Sequence, residues 1–165
     1  MISISSIRQI FNKILLVGFG LMLSLSGYAF DLKGGSTVKV EADTTSLQPV
    51  AKTALRMLQG DIEKVLGSQL EIQQGKTSTS DAATAKNLII LSKDAAAFAY
   101  KKEAFQLKAA DGNLYIKGSD DHGLAYGILE VSRLLGVSPW EWWADAKPKH
   151  LDSFSLKDGY QNAQA

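Results

Sequence analysis

The chain contains no cysteine, which excludes disulfide staples, thiolate zinc sites, iron–sulfur clusters and thiol catalysis. Histidine is nearly absent as well. His122 and His150 are the only two, and no carboxylate stands at a metal spacing such as His-Glu-x-x-His, so no metal site is expected. Neither sign of charge dominates: 18 Lys+Arg stand against 17 Asp+Glu, a formal net charge of +1, unlike the basic footprint of a nucleic-acid binder. The glycines form no phosphate loop. Gly18 and Gly20 fall in an apolar amino-terminal stretch, and no Gly-Lys-Ser/Thr follows Gly34-Gly35. No motif asks for a cofactor. What is present is an ordinary globular composition, 45% hydrophobic and 21% charged over 165 residues. That argues against disorder and fibrous repeats. The length suits one domain with short appendages and cannot also hold a (β/α)8 barrel.

Residues 1–29 have the three parts of an export signal. Arg8 and Lys13 are its only charges. They precede the apolar run Ile14-Leu-Leu-Val-Gly-Phe-Gly-Leu-Met-Leu-Ser-Leu25, and Gly27 and Ala29 supply small residues at −3 and −1 of a cut after Ala29. The run is well short of the roughly 20 residues that span a bilayer. The expectation is therefore a cleaved signal, a periplasmic or secreted product, and no membrane association after cleavage. Cleavage would remove two positive charges and no negative ones, changing the net charge from +1 to −1.

The remaining sequence alternates strand and helix signals. Thr37-Val-Lys-Val-Glu41 and Gln69-Leu-Glu-Ile-Gln73 have the two-residue period of half-buried strands. Between them, Val50, Ala51, Ala54, Leu55, Leu58, Ile62, Val65 and Leu66 form a helical stripe, opened by Pro49 and stopped by Gly67. Residues 76–86 are small and polar, a loop by composition. Asn87-Leu-Ile-Ile-Leu-Ser92 reads as a central strand covered on both faces. Two alternating stretches, 104–109 and 114–117, flank Asp111-Gly112, which suits a type I′ hairpin turn. A second helix runs from Gly123 to Leu135, with Leu124, Ile128, Val131 and Leu135 buried and Gly136 as its stop. Gly123 and Gly127, one turn apart, give it a flat face able to lie close to a sheet. A strand at Phe154–Leu156 and a polar tail complete the chain. This order predicts an α+β fold, a mixed sheet of about five strands with two amphipathic helices on one face. The expected organisation is a signal peptide at 1–29, an α+β accessory domain at 30–136, and a Trp-rich linker and tail at 137–165.

Residues 104–135 resemble the second half of the small α+β domain that precedes the catalytic barrel in bacterial β-hexosaminidases and α-glucuronidases. The resemblance rests on an amphipathic hairpin, a short polar turn, and a helix opening Gly123-Leu-Ala-Tyr-Gly127. Gly136-Val-Ser-Pro-Trp-Glu-Trp-Trp-Ala-Asp145 is similar to the segment that joins that domain to the barrel in glycoside hydrolase family 115, the xylan α-glucuronidases. The acid/base residues of those families lie in the barrel, so no catalytic residue carries over. The resemblance implies a β-hexosaminidase domain 2-like fold and an exported polysaccharide-processing context, with xylan as one polysaccharide. It also implies a non-catalytic role beside a catalytic barrel or another carbohydrate-active partner, in a chain that is either a gene remnant or a stand-alone protein.

The three tryptophans, Trp140, Trp142 and Trp143, lie within four positions, with Glu141 and Asp145 beside them. An exposed indole can stack on a sugar ring while a carboxylate binds its hydroxyls; equally, large aromatics dominate packing between domains. The alternatives are a docking surface, a free carbohydrate-binding module, or a small hydrolase with Glu141 and Asp145 as acid and base. Asp120-Asp121-His122, directly before the second helix, is read as a capping group. Glu130 with Arg133, and Asp61 with Glu63 and Lys64, are read as solvated helix charge.

Overall fold

The computed structural model describes residues 28–74, 86–144 and 146–164. Most of the stretch read as an export signal, the polar loop at 76–85 and Asp145 lie outside the described residues. The elements are β1 (Tyr28–Lys33), β2 (Thr37–Ala42), α1 (Pro49–Leu66), β3 (Gln69–Gln74), β4 (Leu88–Lys93), β5 (Phe105–Ala110), β6 (Asn113–Gly118), α2 (Asp121–Leu134), α3 (Glu141–Ala144), β7 (Ser153–Lys157) and β8 (Gln161–Gln164). Six strands form the main sheet in the order β3-β2-β4-β6-β5-β8. The first four run parallel, and β5 is antiparallel to both β6 and β8. β1 and β7 make a separate antiparallel ribbon. The fold is α+β with a mixed sheet, as the pattern predicts. Residues 137–165, read as linker and tail, contribute β7 at the expected Phe154–Leu156 and also β8.

Local chemistry explains the elements. Pro49 opens α1, where its missing N–H costs nothing, and Gly67 ends it at φ 61°, its N–H donating to the Glu63 carbonyl. Asp111 and Gly112 hold φ of 54° and 81°, the two positive angles of the hairpin turn, and fix the β5–β6 register with Ala110 opposite Asn113. The buried Asn113 carries this outward, since its Oδ1 accepts the Leu88 N–H and so ties β4 to the hairpin.

The core lies between the sheet and the paired helices. Val38, Val40, Ile89, Leu107, Leu114 and Ile116 from the strands meet Leu58, Ile62, Leu124 and Ile128 from the helices, all buried. The ribbon adds Phe30 and Phe154 in an edge-to-face pair with centroids 6.5 Å apart. α2 lies very close to the hairpin. A Cβ on Gly123 would stand 2.1 Å from the Ala104 carbonyl oxygen, and one on Gly127 would stand 2.7 Å from Ile116 Cγ2. The opposite face of the sheet carries Lys39, Glu41, Tyr115 and Lys117 and is only partly covered. The expectation of full cover on both sides of β4 needs that correction: Leu88, Ile89 and Leu91 are buried, but Ile90 is half-buried.

Candidate docking surface

α1 and α2 pack side by side and leave a groove of about 840 Å³ on their outer side. Met57, Gly60, Asp61 and Lys64 of α1 face Tyr126, Leu129, Glu130 and Ser132 of α2 across it, and residues 137–139 close one end. Its walls are mostly apolar, with Met57 and Tyr126 among the large hydrophobic side chains that remain exposed.

Trp140 follows directly on Pro139, a groove-lining residue, and is 66% exposed. Its N–H donates to Ser138 Oγ, and its carbonyl accepts the Ala144 N–H. The indole is therefore presented by a hydrogen-bonded turn. Glu141 opens α3, and its Oε1 accepts a hydrogen bond from Lys64 Nζ at 2.6 Å. That contact raises the Lys64 pKa, the bond to Glu141 first and the charges of Glu141 and Asp61 after it, with burial opposing. Glu141 thus fastens the Trp-bearing turn to α1. The side chains of Trp142 and Trp143, like the whole of Asp145, lie outside what the structure describes. The five sequence candidates are accordingly represented by Trp140 and Glu141 alone.

Of the acidic pair at the start of α2, Asp120 is the cap. Asp120 Oδ1 accepts the Gly123 N–H at 2.8 Å and Oδ2 accepts the Glu103 N–H at 2.9 Å. The Gly123 bond is the main cause that holds the Asp120 pKa below the usual carboxylate value, against burial. Asp121 accepts the Gln48 N–H at 2.9 Å and Lys93 Nζ at 2.8 Å, joining the start of α1 to the start of α2. A second hollow, at the carboxyl ends of β2 and β4, contains Lys93, whose ammonium is occupied by Asp121 and the Ser46 carbonyl.

Two readings of helix charge need correction. Glu130 is buried: its carboxylate accepts Arg133 Nε and Nη2 and Asn162 Nδ2, each at 2.6 Å, which pins β8 to α2. The hydrogen bonds to Glu130 first, and its charge after them, raise the Arg133 pKa. Asp61 is 8% exposed and lines the groove. Helical spacing carried a signal for it, because Asp61 follows Leu58 by three and Ala54 by seven, on the edge of the buried stripe. Gly127 and Glu130 have the same relation on α2.

These features define a small α+β domain with an apolar inter-helical groove, a presented indole and no assembled pair of catalytic carboxylates among the described residues. No family model matches the sequence, and no curated protein does. Among solved structures, the chain is similar to a family GH115 4-O-methyl-α-glucuronidase with specificity for decorated arabinogalactans. The TM-score is 0.71 and the identity 37%, over 82% of this chain. The match spans only 18% of that enzyme. A GH20 exo-β-N-acetylglucosaminidase from Vibrio harveyi (TM-score 0.44, 12% identity, 79% of this chain and 17% of that one) is a more distant likeness. So is a GH138 enzyme targeting pectin rhamnogalacturonan II (0.43, 16%, 79% and 15%). The chain is thus similar in fold and sequence to one part of a glycoside hydrolase, as an accessory domain of such an enzyme would be.

Proposed function

We propose that this protein is an exported, non-catalytic accessory domain that braces or docks onto a carbohydrate-active catalytic partner through Trp140 and the adjoining groove. The observation that carries the reading is the 37% identity, over 82% of this chain, to a part amounting to 18% of an α-glucuronidase. The matched part is a minor share of that enzyme, which supports a role beside a catalytic portion. The polysaccharide context is xylan, from the family resemblance, or decorated arabinogalactan, from the matched enzyme. Export follows from the apolar segment before Ala29, and cleavage there leaves Phe30 as the first residue of the ribbon.

The test is complementation. The matching segment is deleted from a GH115-type enzyme, and the purified chain is added back. The expected result is a stable complex with recovered activity, while the chain alone turns over no glycoside. Failure to associate, or turnover by the chain alone, would refute the reading. The exposure of Trp140 favours a second reading, a free carbohydrate-binding module. It predicts that xylan or arabinogalactan fragments quench tryptophan fluorescence and that Trp140→Ala reduces the quenching.

A further inference from the structure

We infer that the β1–β7 ribbon closes over the bond after Ala29, so that a signal peptidase can cut there only until β7 has paired with β1. This rests on the export proposal and adds the order in which processing and folding must occur.

Three observations converge on it. First, the bond lies inside a strand. β1 begins at Tyr28, and the backbone on either side of Ala29 is paired, Tyr28 with Lys157 and Phe30 with Leu156. Second, the residue after the cut belongs to the core. Phe30 is fully buried and edge-to-face with Phe154 at 6.5 Å, and Leu32, two positions on, is buried as well. Third, the strand is anchored along its length. The Asp31 N–H donates to Asn87 Oδ1 at 3.1 Å, and the Gly34 N–H donates to the Asp152 carbonyl at 2.8 Å.

A peptidase takes its substrate as an extended, unpaired segment, so cleavage of a folded chain tracks the small population in which that segment has come loose. Here loosening draws Phe30 and Leu32 out of the core, and the burial of two such side chains lowers the open population about a hundredfold or more. Topology supplies the delay before closure. β7 follows β1 by about 120 positions, which at 5–20 residues per second leaves roughly 6–24 s after β1 is made. In that interval the Gly27-x-Ala29 site has no strand to pair with. Hydrolysis adds water across the Ala29–Phe30 amide and leaves a carboxylate on Ala29 and an amine on Phe30. The mature chain then folds with Phe30 already in place as the start of β1.

The experiment treats the full-length chain with a purified signal peptidase in mild detergent. One sample is diluted from urea straight into the enzyme, and a second is refolded first, its folding verified by circular dichroism. A synthetic peptide of residues 14–36 accompanies both and reports that the enzyme is active. Mass spectrometry reads the product that begins at Phe30. The unfolded chain should be cut along with the peptide, and the refolded chain about a hundredfold or more slowly. Phe154→Ala, which removes the ring packed on Phe30, should speed cleavage of the refolded chain about tenfold or more. In a pulse-chase of the cells that make it, precursor left uncut at the end of the pulse should stay uncut.

Equal rates for the refolded and unfolded chain overturn the inference, as does conversion of the leftover precursor during the chase. A Phe154→Ala chain that folds and still resists like the wild type overturns it too. Should that variant not fold, the comparison of refolded with unfolded wild type decides. If the peptide and the unfolded chain both stay whole while a standard precursor is cut, the export proposal itself falls.

Discussion

Replacing Gly123 with alanine should destabilise the protein, although alanine is the better helix former by about 1 kcal/mol. The added Cβ would fall 2.1 Å from the Ala104 oxygen and 2.9 Å from its carbonyl carbon. Even a tight C···O contact needs about 3.3 Å, so helix and strand must separate by roughly 1 Å. Neither side yields cheaply. The same oxygen accepts the Ser119 N–H at 2.8 Å, and the Gly123 N–H is held by Asp120 at 2.8 Å. Overpacking costs about 1–3 kcal/mol, and each weakened hydrogen bond about 1 kcal/mol. After subtracting the propensity gain, the net loss is about 2–4 kcal/mol. For a chain of this size that lowers Tm by roughly 8–15 °C. Thermal and urea unfolding followed by circular dichroism measure it, with Gly60→Ala as the control. That substitution has empty space around it and should gain about 0.5–1 kcal/mol. A Gly123→Ala protein melting at or above the wild type would refute the close approach of α2 to the hairpin.

Four further outcomes are expected. Asp121→Ala should cost about 3 kcal/mol, because it strands Lys93 and the Gln48 N–H at the junction of the two helices; denaturant unfolding measures this. Glu130→Ala should release β8, so that hydrogen exchange at 161–164 accelerates more than at 113–118, with a loss of about 2 kcal/mol. The Asp120 pKa is lowered in the folded state, so its contribution is complete above the unfolded carboxylate value of about 4 and is lost as pH falls through the folded value. Acid unfolding curves should therefore separate wild type from Asp120→Asn above about pH 5 and converge in stronger acid. Amino-terminal sequencing of the exported protein should begin at Phe30, and a product retaining Met1 would remove the export proposal.

The elements that were legible in the sequence are those set by local chemistry. Pro49 and Gly67 bracket α1, Asp111-Gly112 turns the hairpin, and Gly123 with Gly127 marks the helix that approaches the sheet. Each depends on a backbone preference or a period that neighbouring residues carry themselves. β8 was not legible, since Gln161-Asn-Ala-Gln164 has no apolar alternation and forms by lending its backbone to the edge of β5. The burial of Glu130 depends in part on that strand, because Asn162 reaches the carboxylate from β8. The groove was hidden for a similar reason. Whether Asp61 faces water or α2 depends on the angle between two helices far apart in sequence, not on the pattern within either. Of the sugar-site candidates, Glu141 met a partner 77 positions away, Lys64. Trp140 is exposed, where its place in the sequence left stacking on a sugar and packing between domains both open.

The most direct test places a photo-crosslinking phenylalanine analogue at position 140 in the protein made by its own cell and identifies the product by mass spectrometry. The expected result is one dominant adduct, a larger polypeptide bearing the catalytic portion of a glycoside hydrolase. Adducts to polysaccharide alone, or none while the purified chain by itself hydrolyses a glycoside, would contradict it.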